Sequence, residues 1–253
     1  MIQIQKLSKR FNNNLVLNEL SLNVQAGQTC VIIGRSGCGK SVLLKHIVGL
    51  LMPDSGKVLV QGKDVASLKE LELVALRAKI SMVFQGGALF DSMDVSENVG
   101  FSLLEHTQLS QKEILTRVEE ALFLVGLGGI GNLMPSELSG GMKKRVALAR
   151  AICIKPQIIL YDEPTTGVDP ITADTINELI RSLHDKLKVT SLVVTHDMKS
   201  AYHIADKIAM MYRGGIILEG TPQQIQETTD PVVYQFINGL SNGPITETVD
   251  ISK

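Results

Sequence analysis

The stretch "QTCVIIGRSGCGKSVLLKHIVGLL", residues 28–51, places a buried strand, a glycine-rich turn and a helix in immediate succession. Residues 30–33 form an unbroken apolar run ending at Gly34, the pattern of a strand covered on both faces. From Lys40 onward the apolar residues take helical spacing. Between them, Gly34, Gly39, Lys40 and Ser41 satisfy G-x-x-x-x-G-K-[ST], with Arg35, Ser36, Gly37 and Cys38 filling the loop. Glycines let backbone N–H groups approach phosphate at the positive end of a helix, Lys40 adds a point charge, and Ser41 offers a hydroxyl to Mg²⁺.

Working outward, "MIQIQKL" and "LNELSLNV" alternate apolar and polar residues and read as half-buried antiparallel strands. The runs "IIL" before Tyr161 and "SLVV" before Thr195 read as further buried strands, with a helix over "ITADTINELIRSLHDKL" between them. That order is a βαβ unit, so the chain is α/β. Between about residues 88 and 156 helical periodicity replaces the strand signal, which predicts a helical subdomain inserted in the α/β core. Asp94/Glu97 and Ser110/Glu113 have capping-box spacing. Ile114, Leu115, Val118, Leu122 and Val125 are expected on one apolar stripe, and "IAMMYRGGIILEG" as a hairpin turned at Gly214 and Gly215.

The chain has 253 residues, of which 44% are apolar, enough for a substantial core. Its formal charge of −1 gives no basic surplus for sequence-independent nucleic-acid binding. Cys30, Cys38 and Cys153 form no CxxC pair, which argues against a disulfide framework or zinc site and for a reducing compartment. No run approaches the ~18 apolar residues needed to span a bilayer. "KKR" at 143–145 reads as a solvated helix face. Cys38 is open to two readings: a tolerated small residue, or a thiol acidified by the helix N-terminus and Lys40.

A second set of residues extends the chemistry. "IILYDEP" supplies Asp162 at a strand end for Mg²⁺, and Glu163 beside it is a candidate general base for an attacking water. His196 ends the "SLVVTHD" strand at the ligand edge of the sheet and is read as a γ-phosphate contact. "SELSGGMKKR" puts Ser139, Gly140 and Gly141 at a helix N-terminus, a second place suited to an anion.

P-loop, "LSGG", "YDEP" and a later histidine, in that order, resemble an ABC-type ATPase subunit over nearly the whole chain. The resemblance implies ATP and Mg²⁺ as ligands and a P-loop ABC-type nucleotide-binding domain: a RecA-like core, an antiparallel β subdomain and the inserted helices. The ATPase domain is then expected over 1–220, followed by an extension over 221–253. It also implies that Ser139, Gly140 and Gly141 close over ATP held by a second copy in a head-to-tail pair. By the same resemblance Phe11 stacks on adenine, Gln85 senses Mg²⁺ and γ-phosphate, and Asp169 contacts the opposite subunit. Asp169 is equally an N-cap before Pro170. The chain departs from the common signature at Met142, where the family usually has glutamine.

"LMPSELSGGM", "FQGGALFDSMDVSENV" and "EHTQLS" are further similar to the ATPase subunits of Mla-type phospholipid transport systems. That resemblance implies an integral membrane permease, an MCE-domain lipid-binding protein and a small STAS-type regulator as partners. It places the chain peripherally at the cytoplasmic face of a bacterial inner membrane. The alternatives are a soluble ABC ATPase acting on nucleic acid or ribosomes, a transporter ATPase for another substrate, and a catalytically idle subunit. The apolar residues Val232, Val233, Phe236, Ile237 and Leu240 either dock on a neighbour or pack on their own core.

Overall fold

In a computed structural model, which describes residues 1–247, two sheets are laid down by one winding of the chain. Strands β1 (Ile2–Phe11) and β2 (Asn14–Val24) pair antiparallel, then β3 (Thr29–Ile33) enters a different sheet and leads through the glycine loop into α1 (Lys40–Ile47). β4 (Ser55–Val60) and β5 (Lys63–Asp64) return to the first sheet, giving the order β2-β1-β4-β5. After α2 (Glu70–Arg77) and β6 (Ile80–Val83) come three helices, α3 (Val95–His106), α4 (Gln111–Leu124) and α5 (Gly140–Cys153).

β7 (Ile158–Asp162), α6 (Pro170–Leu187), β8 (Thr190–Thr195), α7 (Met198–Ile204), β9 (Lys207–Tyr212) and β10 (Gly215–Gly220) complete the second sheet. Its order is β10-β9-β3-β8-β7-β6, parallel throughout except for the β9–β10 hairpin. α8 (Pro222–Gln226) and α9 (Pro231–Ile237) follow.

Strand alternation divides the core in two. Cys30 and Ile32 face α1 and the small sheet, while Val31 and Ile33 face the helices on the other side. Because both faces are covered, β3 is buried at every residue, as its unbroken apolar run requires. The parallel register then brings Ile33, Asp162 and Thr195 to the same sheet edge, where each strand hands over to a loop.

The inserted helices start where their caps dictate. Asp94 accepts from Glu97 N at 2.8 Å and Glu97 from Asp94 N at 2.9 Å, and Ser110 and Glu113 exchange the equivalent pair. Leu115 departs from the expected stripe. It is 48% exposed, and Ala121 takes the buried place beside Ile114, Val118 and Leu122. The hairpin turn also shifts by one residue, to Arg213 and Gly214, whose φ values of +48° and +81° suit a primed turn. Gly215 is already paired with Tyr212.

Beyond Gly220, Val233 is fully buried, and Phe236 and Ile237 pack against the larger core. Gln235 folds the following segment back, donating to Leu240 O at 3.1 Å and accepting from Ile245 N at 2.7 Å. Part of the expected 221–253 extension lies outside the described residues. Among those described, no helix is long and apolar enough to cross a membrane.

Leu122, fully buried among the inserted helices, gives a direct test of this packing. Leu122→Ala is expected to cost about 2–5 kcal/mol, read as a lower urea midpoint with an unchanged slope.

Candidate active site

The loop between β3 and α1 takes its course from two glycines. A Cβ on Gly34 would lie 2.5 Å from the Met211 carbonyl oxygen, so only glycine lets the chain leave β3 beside β9. Gly39 has φ +109° and would press a Cβ against Val16, Leu17 and Met211 at 3.0–3.1 Å. Gly37 has open space where a Cβ would stand and, with Ser36, lines a cavity of about 380 Å³.

Lys40, 6% exposed, reaches back into this loop. Its ammonium donates to Gly34 O at 2.8 Å and Arg35 O at 3.2 Å, and pairs with Glu163 Oε1 at 3.5 Å. Arg35 itself is exposed. Ser41 Oγ donates to Asp162 Oδ1 at 2.9 Å, joining the start of α1 to the end of β7. Burial pushes the Asp162 carboxyl above its ordinary range; the Ser41 hydrogen bond opposes this and the neighbouring Glu163 adds to it. A half-buried acid beside a hydroxyl suits a divalent cation, and Gln85 lines the cavity together with Ser41.

Glu163 is the most heavily held side chain of the site. Its backbone is left-handed, φ +50°, with the N–H bound to Val194 O at 2.9 Å. Oε2 accepts from His196 Nδ1 at 2.8 Å, Thr166 Oγ1 at 3.1 Å and Thr195 Oγ1 at 3.4 Å. A carboxylate can only accept, so Nδ1 carries the imidazole proton and Nε2 is left for a ligand. His196 is half exposed and lines the cavity.

Ser139, Gly140 and Gly141 do not reach this cavity. Ser139 caps α5, accepting from Met142 N at 3.2 Å. Ser139 and Gly140 are exposed, and a Cβ on Gly141 would come 2.7 Å from the Thr172 methyl. Met142 packs against the core, where a glutamine would bury an amide. Asp169 is exposed and caps α6 through Ile171 N and Thr172 N at 3.0 Å; the bond from the Thr172 hydroxyl, with these backbone bonds, holds its carboxyl below the usual range. Phe11, 40% exposed, stands outside the cavity lining, with the Lys9 ammonium 5.8 Å from its ring.

Of the two readings of Cys38, the tolerated small residue is favoured over the acidified thiol, and one expectation, for Lys144, is corrected. Burial pushes the Cys38 thiol up, outweighing Lys40 and the backbone hydrogen bonds. Lys144, expected on a solvated face, is 7% exposed and donates to the Gln85 carbonyl. Val16 and Val42, not singled out in the sequence, also line the cavity. Val16 does so because β2 crosses over Gly39, a tertiary contact with no local signature.

Known proteins of similar sequence and fold identify the family. Residues 17–166 match a family described as ABC transporter. The chain is 42% identical, over 97% of its length and 93% of the relative's, to the intermembrane phospholipid transport ATP-binding protein MlaF of Haemophilus influenzae. It is 40% identical, over 96% of its length and 70% of the relative's, to a probable ribonucleotide transport ATP-binding protein, mkl, of Mycobacterium leprae. Among solved structures, the dimeric post-hydrolysis state of the ATP-binding cassette MJ0796 with ADP and Pi superposes with a TM-score of 0.80 at 32% identity, covering 88% of this chain and 99% of that one. The chain therefore belongs to the ABC transporter family, as an ATP-binding, ATP-hydrolysing subunit.

Proposed function

We propose that this chain hydrolyses MgATP as half of a head-to-tail pair and drives a permease that moves phospholipid between bacterial membranes. The observation that carries the catalytic reading is the convergence of Lys40, His196, Thr166 and Thr195 on Glu163, beside the Ser41–Asp162 pair. The phospholipid reading rests on the relative named for that transport and on the motifs shared with Mla-type ATPases.

The P-loop amides and Lys40 hold the β- and γ-phosphates, and Phe11 stacks on adenine. Ser41, Asp162 and Gln85 hold Mg²⁺, which neutralises phosphate charge when bound. Phosphate competes with the Gly34 and Arg35 carbonyls and with Glu163 for the Lys40 ammonium. Once Lys40 turns to phosphate, Glu163 Oε1 is free to take a proton from the attacking water, while Oε2 stays fixed by His196 and the two threonines. His196 Nε2 meets the γ-phosphate. Ser139, Gly140, Gly141 and Asp169 lie outside their own chain's cavity and serve the partner's nucleotide.

The movement leaves through residues 86–104. They border a groove of about 600 Å³ whose aromatic wall is Phe84, Phe90 and Phe101, next in sequence to Gln85. The permease seats there and holds the chain at the cytoplasmic face of the inner membrane. An MCE-domain lipid-binding protein and a STAS-type regulator complete the complex. A net charge of −1 gives no basic surplus for sequence-independent nucleic-acid binding, which favours the transport reading.

Glu163→Gln is expected to lower kcat by about 10²–10⁴-fold with MgATP binding retained; undiminished turnover removes Glu163 as the base. Pull-down of that variant with ATP from native membranes is expected to yield a permease, an MCE-type protein and phospholipid. Recovery of ribosomes or repair proteins without a permease overturns the transport reading. Asp162→Asn removes a carboxylate that burial penalises, so the ligand-free variant should melt higher than the parent. It should also lose most of the thermal stabilisation that MgATP gives the parent.

A further inference from the structure

The signature helix and the Gln85 loop are bolted together by two cations. Lys144 Nζ donates to the Gln85 carbonyl. Six residues further along α5, Arg150 donates to Gly87 O at 2.6 Å and Ala88 O at 2.7 Å. The loop lies against the helix at Gly87, where an added Cβ would stand 3.4 Å from Lys143 O and 3.7 Å from the Ala147 Cβ. Three carbonyls within four residues thus point at one helix, each met by a charged donor, a stronger bond than between neutral groups.

Lys144 is buried without a carboxylate within ion-pair distance among the described residues. Burial draws its pKa down, and Glu163 is the charge that opposes this. If the loop moved away, the ammonium would lose the Gln85 carbonyl that it donates to, a costlier state than the bonded one. The loop must therefore follow the helix. Ser139 caps that helix, five residues or about 8 Å of axial rise from Lys144.

We propose that Lys144 and Arg150 are positioning residues that transmit engagement of the signature segment by a partner's ATP to Gln85, and so to this chain's own nucleotide site. The inference rests on the head-to-tail reading above. It adds a direction: occupation of one site sets the sensor of the other through α5, before hydrolysis. A clamp of backbone carbonyls suits this role because it moves the whole loop, including the edge of the aromatic groove.

The test uses the full-length chain carrying Glu163→Gln, alone and with Lys144→Met, Lys144→Arg or Arg150→Met added. Pair formation with MgATP is read by analytical ultracentrifugation, and the 84–90 segment by hydrogen exchange. In the parent, MgATP is expected to form the pair and slow exchange in that segment by about tenfold. Lys144→Met should still bind ATP but leave exchange within about twofold of the nucleotide-free value, and Lys144→Arg should restore protection. Arg150→Met, which leaves the buried amine in place, should lose protection as well.

Without Glu163→Gln, Lys144→Met should lower kcat about tenfold while KM for ATP stays within about twofold, with rescue by Lys144→Arg. Full protection in Lys144→Met or in Arg150→Met overturns the inference. A parent that stays monomeric with MgATP removes the head-to-tail reading itself, and the inference with it, so the two failures are distinct.

Discussion

The contact between Lys40 and Glu163 governs the site. A buried ammonium and a buried carboxylate, 3.5 Å apart, satisfy each other across the gap between the start of α1 and the end of β7. Each also has other partners, the Gly34 and Arg35 carbonyls for Lys40 and His196, Thr166 and Thr195 for Glu163, so the contact can be exchanged without leaving either charge bare. The pair ties the glycine loop to the end of β7, and both ends are anchored to the parallel sheet, whose register aligns Ile33, Asp162 and Thr195 at one edge. The small sheet contributes as well: β2 lies over Gly39 and closes the cavity with Val16. Covering β3 on both faces also places the end of the strand, and the loop that leaves it, beside β8 and β9.

The inserted helices obey a different constraint. They carry the Ser139 cap away from the cavity and still return two cations to the loop at its rim. Helix α5 packs in the larger core through Val146, Leu148 and Ile152, so it can act as a stiff rod between these points. The groove bounded by Phe84, Phe90 and Phe101 begins where that rod meets the loop. The cavity lined by Lys40 and Glu163 and the aromatic groove are thereby joined by one helix.

Much of this was legible in the sequence because the relevant signals are contiguous. The P-loop, the Asp162–Glu163 dipeptide and His196 each sit at the end of an apolar run, and strand ends on one edge of a parallel sheet meet in space. The capping boxes are equally local. Leu115 was misplaced because it falls one position off the stripe of Ile114, Val118 and Leu122, about 100° around the helix. Lys144 was misread from its basic neighbours, although its spacing to Leu148, Ala151 and Ile152 puts it on the buried stripe. Charge outweighed phase in that reading. The Lys40–Glu163 pairing and the reach of Val16 are tertiary contacts, which no local pattern encodes.

The tight seat of Gly141 against Thr172 bears on how genetic data from such a chain should be interpreted. An alanine there collides within its own subunit before any second copy arrives, and the collision falls on the helix start that Asp169 caps. Gly140, with nothing within 4 Å of an added Cβ, carries no such internal penalty. A loss-of-function allele at Gly141 therefore includes a clash with Thr172 inside the chain, which one at Gly140 does not. Pooling the two neighbouring glycines as one functional class would merge two different physical defects.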